Sequence, residues 1–376
     1  MVSKNNIIDP KKVYFFFGLV LILIIFNIIF GFDKINPNNT DWLFRGDVKK
    51  HFLGWQFFQQ SEFIQWPIGK IYDYGQYYWS NIILTDSIPV LAIIFKYFPI
   101  LPDYGQYFGL WFLICLVLQY FFAFKLLSLF SKNYLSIFVF SIMFVISPAM
   151  LERSGMLNSL TSHPALMSHW LIISGMYFYF SKDQKKYLWP ILLSISLLTH
   201  LYLFSIVFAI FIIDIFTRKD FINRFKYVFL VLLFLALLAY SVGFFIFDLD
   251  YALGGFGRYR SNLVSLLDPN LSWSLILDDI KTVKNGEHEG FSYLGLGLIL
   301  STFSIALSIK KFSPNQNNKR EYIYFFLIIA FFIYAQSNNI YLSNYLIFSY
   351  QIPEFFESLF NIFRSSGRFM WPVIYS

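Results

Sequence analysis

From Val13 to Phe32 the chain runs for twenty residues without a charged side chain. As a helix rising about 1.5 Å per residue, such a run crosses the ~30 Å hydrocarbon layer of a bilayer. Similar runs recur along the 376 residues, of which 57% are hydrophobic and only 14% charged. These figures exclude an ordinary soluble domain and imply an integral membrane protein. Lys4, Lys11 and Lys12 precede the first run, as in a signal peptide. The run is too long for a signal core and no small-x-small cleavage site follows, so it reads as a retained anchor. Cys115, the single cysteine, lies in an apolar run, which leaves no disulfide and no cysteine metal site.

The expected fold is all-α: a polytopic membrane helical bundle of about 9–10 spans. These fall near 13–32, 106–130, 134–149, 165–181, 187–200, 201–216, 226–247, 292–309 and 321–336, and a tenth begins at Trp371. The pair 187–200 and 201–216 reads as a hairpin joined at Thr199-His200 or as one kinked helix, and two crossings are kept because they preserve the charge pattern of the loops. With the N-terminus inside, the tail and the loops 125–133, 182–186, 217–226 and 310–320 hold 16 of the 29 Lys and Arg, and only five of the 22 Asp and Glu (Asp9, Asp183, Asp214, Asp220 and Glu321) fall on that side. That is the positive-inside pattern, and it sets the basic surface against an anionic inner leaflet rather than nucleic acid. Leu84 to Phe98 is apolar but short. Were it to cross, the basic loops would face outward, so it reads as a half-inserted or surface helix. The whole chain is then one membrane domain, with a long first outer loop at about 33–105 carrying amphipathic surface helices and a second at 248–291.

Residues 41 to 89 look like the working part. In a helix from Gly46 onward, Asp47 and His51 share one face, while Val48, Phe52 and Trp55 form an apolar stripe suited to a membrane surface. A carboxylate beside an imidazole there activates a hydroxyl; alternatively Asp47 only caps the helix and His51 is solvated. The other reactive side chains lie on the same outer side: Arg45, Asp73 and Asp86; Glu152, Arg153, His163 and His169; His200 and Tyr202; Asp248, Asp250, Arg258, Arg260, Asp268, Glu287, His288 and Glu289; Arg364 and Arg368. All five histidines belong to this set, which points to one outward-facing cavity lined from several loops, and His169 and His200 near the membrane boundary favour it. Asp248-Leu-Asp250 has the spacing of a divalent-cation pair, a weak signal for a common triplet. Gly254-Gly255-Phe-Gly257 allows close backbone approach, but no dinucleotide-type helix follows. Arg364 and Arg368, around Ser365-Ser-Gly367, suit either a phosphate clamp or interfacial anchoring.

Several segments carry a resemblance. Phe44-Arg-Gly-Asp47…His51-Phe-Leu-Gly-Trp55, Thr85-Asp-Ser-Ile-Pro89, Gly257-Arg-Tyr-Arg-Ser-Asn-Leu263, Gly290-Phe-Ser-Tyr-Leu-Gly-Leu-Gly297 and Arg364-Ser-Ser-Gly-Arg-Phe-Met-Trp-Pro372 resemble a bacterial family of multi-spanning proteins of unknown function. The long first outer loop with an early acidic residue resembles the GT-C class of membrane glycosyltransferases. That resemblance implies inverting hexosyl or pentosyl transfer at the outer face of the bacterial cytoplasmic membrane. The donor would be a polyprenyl-phosphate-linked sugar drawn from membrane lipid, and the acceptor a cell-envelope glycan, lipid or protein. It makes Asp47 the base, with Asp41 as a rival; His51 or Arg45 would orient it, and Asp86 joins the catalytic set. Glu152, Arg153, His163, His200, Arg258, Glu287, Glu289, Arg364 and Arg368 are then the substrate-binding candidates, with Arg153, Arg364 and Arg368 facing the leaving phosphate. No cofactor is expected, although a divalent cation stays open. Family members continue beyond the Arg-rich motif with further helices, so an end at Ser376 reads as truncation. The alternative function is a transporter or flippase for a lipid-linked or anionic solute, which nearly charge-free span interiors disfavour.

Overall fold

Helix α1 (Pro10–Ile29) begins where the sequence supplies a cap: the Asp9 side chain accepts from the Lys11 backbone N–H at 3.0 Å, and Pro10 fills the first turn, where a missing N–H costs nothing. The computed structural model describes residues 9–72, 74, 79–156, 162–181, 187–218, 221–245, 255–270, 273–283, 286–308 and 319–376. Its centre is α4 (Phe108–Leu127), which packs against α1, α5 (Tyr134–Val145) and α7 (Trp170–Phe180). Cys115, Leu116, Gln119, Tyr120 and Ala123 of α4 are buried, and Tyr120 Oη donates to the Tyr14 carbonyl of α1 at 3.0 Å. A second group joins α8 (Leu188–Leu197), α9 (Leu201–Thr217) and α12 (Lys319–Ala335), with α9 touching both α7 and α12.

Among the described residues, four helices are long and apolar enough to cross a membrane: Pro10–Ile29, Phe108–Leu127, Tyr134–Ser154 and Asn223–Val242, the last within α10 (Phe221–Val242). The third is interrupted before α6 (Pro148–Leu151), because Pro148 has no N–H to offer the preceding turn. The other expected spans are helical but shorter. Among them α8, α9 and α11 (Leu296–Ser308) are apolar helices below span length, and α7 is shorter than the run that suggested it, while α14 (Trp371–Ile374) begins where the tenth run does. Local breaks shorten two of them: a 3-10 turn at Pro164–Met167 precedes α7, and Leu198–His200 separates α8 from α9. Leu84–Phe98 yields only α3 (Pro89–Tyr97), too short to cross.

The chain is mostly helical, with two short hairpins beside the helices. Strands β1 (Lys70–Tyr72) and β2 (Trp79–Asn81) pair antiparallel, Ile71 opposite Ser80, as do β3 (Asn339–Leu342) and β4 (Tyr345–Ser349), with an irregularity at Ile340/Tyr341. One expectation needs correction: the stripe of α2 (Val48–Gln60) does not lie on a lipid surface. Val48, Phe52 and Trp55 are buried within the protein, and Trp55 Nε1 donates to the Gly105 carbonyl at 2.8 Å. Apolar spacing shows that a face is covered without showing by what. Helix α13 (Glu354–Ile362) completes the fold, with Phe355 and Phe356 exposed.

Candidate functional site

The site is built on the turn 82–88. Thr85 Oγ1 donates to the Ile82 carbonyl at 2.9 Å and lies 2.7 Å from Ser87 Oγ; Ser87 Oγ donates to the His51 carbonyl, and Tyr107 Oη to the Ser87 carbonyl. Held this way, Asp86 and Ile88 adopt φ of 52° and 56°, the left-handed region that costs free energy for any side chain and most for a β-branched one. Gly54 lets α2 close on the turn, since a Cβ there would stand 2.5 Å from Thr85 Cβ. The turn therefore presents Asp86 against α2 in a conformation that its surroundings impose.

Three imidazoles from three other segments meet this carboxylate. His51 is buried on α2, with Nδ1 2.7 Å from the Thr85 carbonyl and Nε2 3.2 Å from the Ser162 carbonyl. His163, extended before Pro164, has Nδ1 3.6 Å from Asp86 Oδ2 and Nε2 3.8 Å from Glu289 Oε1. His200 caps α9: its Nδ1 accepts from the Tyr202 N–H at 3.2 Å, and Nε2 lies 3.4 Å from Asp86 Oδ1. The Asp86 side chain keeps 30% of its surface accessible, so the cluster opens outward through the carboxylate. Burial acts to raise the Asp86 pKa, but the imidazoles of His200, His163 and His51 outweigh it and hold the carboxyl below its usual range. For His51, burial dominates and lowers the imidazole pKa, with Asp86 opposing.

His163 links this group to a second, deeper one. Glu289 Oε2 accepts from Arg153 Nη1 at 2.9 Å and from Arg368 Nε at 3.0 Å, and Arg153 Nη2 donates to the Glu289 carbonyl at 2.8 Å. Here too burial raises the Glu289 pKa, and the guanidiniums of Arg368 and Arg153 overcome it and hold it well below the ordinary value. Arg368 reaches Glu289 because residues 366–370 cross 287–290 glycine on glycine: a Cβ on Gly367 would stand 2.5 Å from Gly290 Cα. The Arg368 guanidinium also lies 4.5 Å from the Tyr202 ring centroid. Seven residues from seven places in the sequence thus form one connected cluster.

A family model described as a domain of unknown function (DUF6311) matches residues 19–376. The chain belongs to the DUF6311 family. No curated protein and no solved structure matches it.

The other candidates of this DUF6311 chain lie around the cluster or beyond it. Asp47 precedes the first turn of α2, makes no side-chain capping bond and pairs with Lys50 at 2.8 Å, so its carboxylate is not beside His51. Arg45 is exposed and lines a narrow cleft with Ser154 and Ser162, next to His51. Glu152 accepts from Trp273 Nε1 at 2.8 Å. Glu287 is held by Arg260 and Asn262, both at 3.2 Å. Arg364 and Arg368 do not act as one clamp: Arg368 is buried on Glu289, whereas exposed Arg364 and Arg258 lie 5.6 and 5.4 Å from the Tyr259 ring. His288 adjoins Glu289, and His169 stands behind the cluster, its Nδ1 2.8 Å from Tyr375 Oη. Asp73, Asp248, Asp250 and Gly254 lie outside the described residues. Sequence reasoning missed the Thr85 and Ser162 carbonyls, which hold His51 through backbone atoms and leave no side-chain signal. The left-handed turn had a faint one, an Asp three residues before a helix-starting proline.

Proposed function

We propose that the protein is an inverting membrane glycosyltransferase that moves a sugar from a polyprenyl-phosphate carrier to an acceptor hydroxyl. The observation that carries the reading is the accessible Asp86 carboxylate, fixed in a left-handed turn and ringed by three imidazoles, in a chain with membrane-crossing helices. In this reaction Asp86, rather than Asp47, takes the proton from the acceptor hydroxyl as its oxygen bonds to the anomeric carbon. The bond from that carbon to the lipid phosphate breaks, and its electron pair leaves with the phosphate. The exposed guanidiniums of Arg258 and Arg364, and Arg45 beside the cleft, supply charge for the leaving group; Arg153 and Arg368 fix Glu289 instead. The distribution of Lys and Arg supports placing the cluster at the outer face of a bacterial cytoplasmic membrane, with a cell-envelope acceptor.

The test is turnover of radiolabelled polyprenyl-phosphate sugars by the full-length protein in nanodiscs. Asp86→Asn is expected to cut release of lipid phosphate by about 10²–10⁴-fold, and Asp47→Asn to leave it within about threefold. Undiminished turnover in Asp86→Asn overturns the assignment. Failure of the wild type with every donor, alongside movement of a lipid-linked solute across proteoliposomes, replaces it with transport.

A further inference from the structure

One ligand atom each from His51, Asp86 and His163 lies within 4.8 Å of the others. Hydrogen bonding decides which atoms these are. His51 Nδ1, 2.7 Å from the Thr85 carbonyl, must carry the proton, because a carbonyl only accepts. Its Nε2 then bears a lone pair, yet its neighbour at 3.2 Å is another acceptor, the Ser162 carbonyl. Two lone pairs facing each other in a buried place are unfavourable unless a cation joins them. His163 Nδ1 is buried with no hydrogen-bond partner among the described residues and faces Asp86 Oδ2 at 3.6 Å, while its Nε2 side looks toward the Glu289 carboxylate. His200 Nδ1 accepts from the Tyr202 N–H, so its proton sits on Nε2, directed at Asp86 Oδ1.

We infer that His51 Nε2, His163 Nδ1 and Asp86 Oδ2 bind a divalent transition-metal ion of the zinc type. Two imidazoles and one carboxylate make a three-side-chain set, and the Ser162 carbonyl, 3.2 Å from His51 Nε2, stands where a fourth ligand would. The 3.6 Å between His163 Nδ1 and Asp86 Oδ2 is close to the roughly 3.3 Å separating ligand atoms in a tetrahedral zinc site. The outer shell is also that of a metal site. A backbone carbonyl holds the far nitrogen of His51, a carboxylate faces the far nitrogen of His163, and an imidazole N–H orients the remaining oxygen of Asp86. Oδ1 keeps the proton-accepting role proposed above, so ion binding neither requires glycosyl transfer nor depends on it.

The test is metal content of the full-length protein, stripped with chelator, reloaded with Zn²⁺ and desalted. The expected result is about one ion per chain in the wild type and in Asp47→Asn. His51→Ala and His163→Ala are expected to lose it, and His200→Asn to bind about 10- to 100-fold more weakly. Should the alanine variants misfold, pulsed electron paramagnetic resonance of Cu²⁺-loaded wild type reads the ligands directly, with two imidazole couplings expected. Substoichiometric zinc in the wild type, full occupancy in both folded alanine variants, or fewer than two imidazole couplings overturns the site.

Discussion

Asp214, near the C-terminal end of α9, and Asp86, beside its N-terminal end, are both carboxylates enclosed by donors, but their surroundings are finished to different degrees. Asp214 is fully buried. Arg320 Nη2 donates to it at 2.7 Å, Arg218 Nε at 3.0 Å and Trp189 Nε1 at 2.9 Å. Those guanidiniums also donate to the Tyr179 and Phe178 carbonyls, so one carboxylate ties α7, α8, α9 and α12 together. Around Asp86 the distances lengthen to 3.4 and 3.6 Å, the carboxylate is partly open, and His163 Nδ1 is buried with no hydrogen-bond partner among the described residues. The first arrangement satisfies its carboxylate and acts as a fastening. The second has polar capacity left over, which costs stability unless a substrate or ion uses it.

Removing one partner should separate the two ends. Asp214→Ala strands two guanidiniums and an indole N–H, and breaking such a buried pair costs about 3 kcal/mol. Thermal unfolding in detergent, followed by tryptophan fluorescence, should show this loss, while zinc content and turnover measured below the melt stay unchanged, because distant sites act additively. A loss under about 1 kcal/mol, or a change in zinc content, would contradict the division into fastening and site.

The converse effect comes from Gly54→Ala. The added methyl meets Thr85, and overpacking of this kind costs about 1–3 kcal/mol. The strain falls on the turn whose carbonyl holds His51 and whose next residue is Asp86, so turnover and zinc affinity should drop more than stability does. If they survive, the position of that turn is not what organises the cluster.

The membrane character and most helices were legible in the sequence, because charge-free runs and proline breaks act locally. The candidate residues stood out in the sequence, since polar side chains in a chain with so few are conspicuous. Their grouping did not. His51 meets the Ser162 carbonyl across 111 residues, and Glu289 joins Arg153 across 136. No periodicity reaches that far. The spacing that did operate, Asp47 to His51, misled because the Asp47 carboxylate goes to Lys50 instead.

Lys96 offers the smallest and most particular test, since its charge is buried with neither a fastening nor an opening. At the end of α3 it is 5% exposed, donates to Ser61 Oγ at 2.7 Å and lies 4.3 Å from the Phe58 ring centroid. Burial, opposed by Glu62, brings its pKa down to about 8. In the unfolded chain a lysine titrates near 10.4, so between those values the unfolded state binds more protons and stability rises with pH. The cost of charging Lys96 is fully present below pH 8 and is relieved as the ammonium deprotonates. From pH 7 to pH 9 the wild type should therefore gain about 1 kcal/mol more than Lys96→Met. Equal gains would mean that Ser61 and the Phe58 face compensate this charge as fully as two arginines and a tryptophan compensate Asp214.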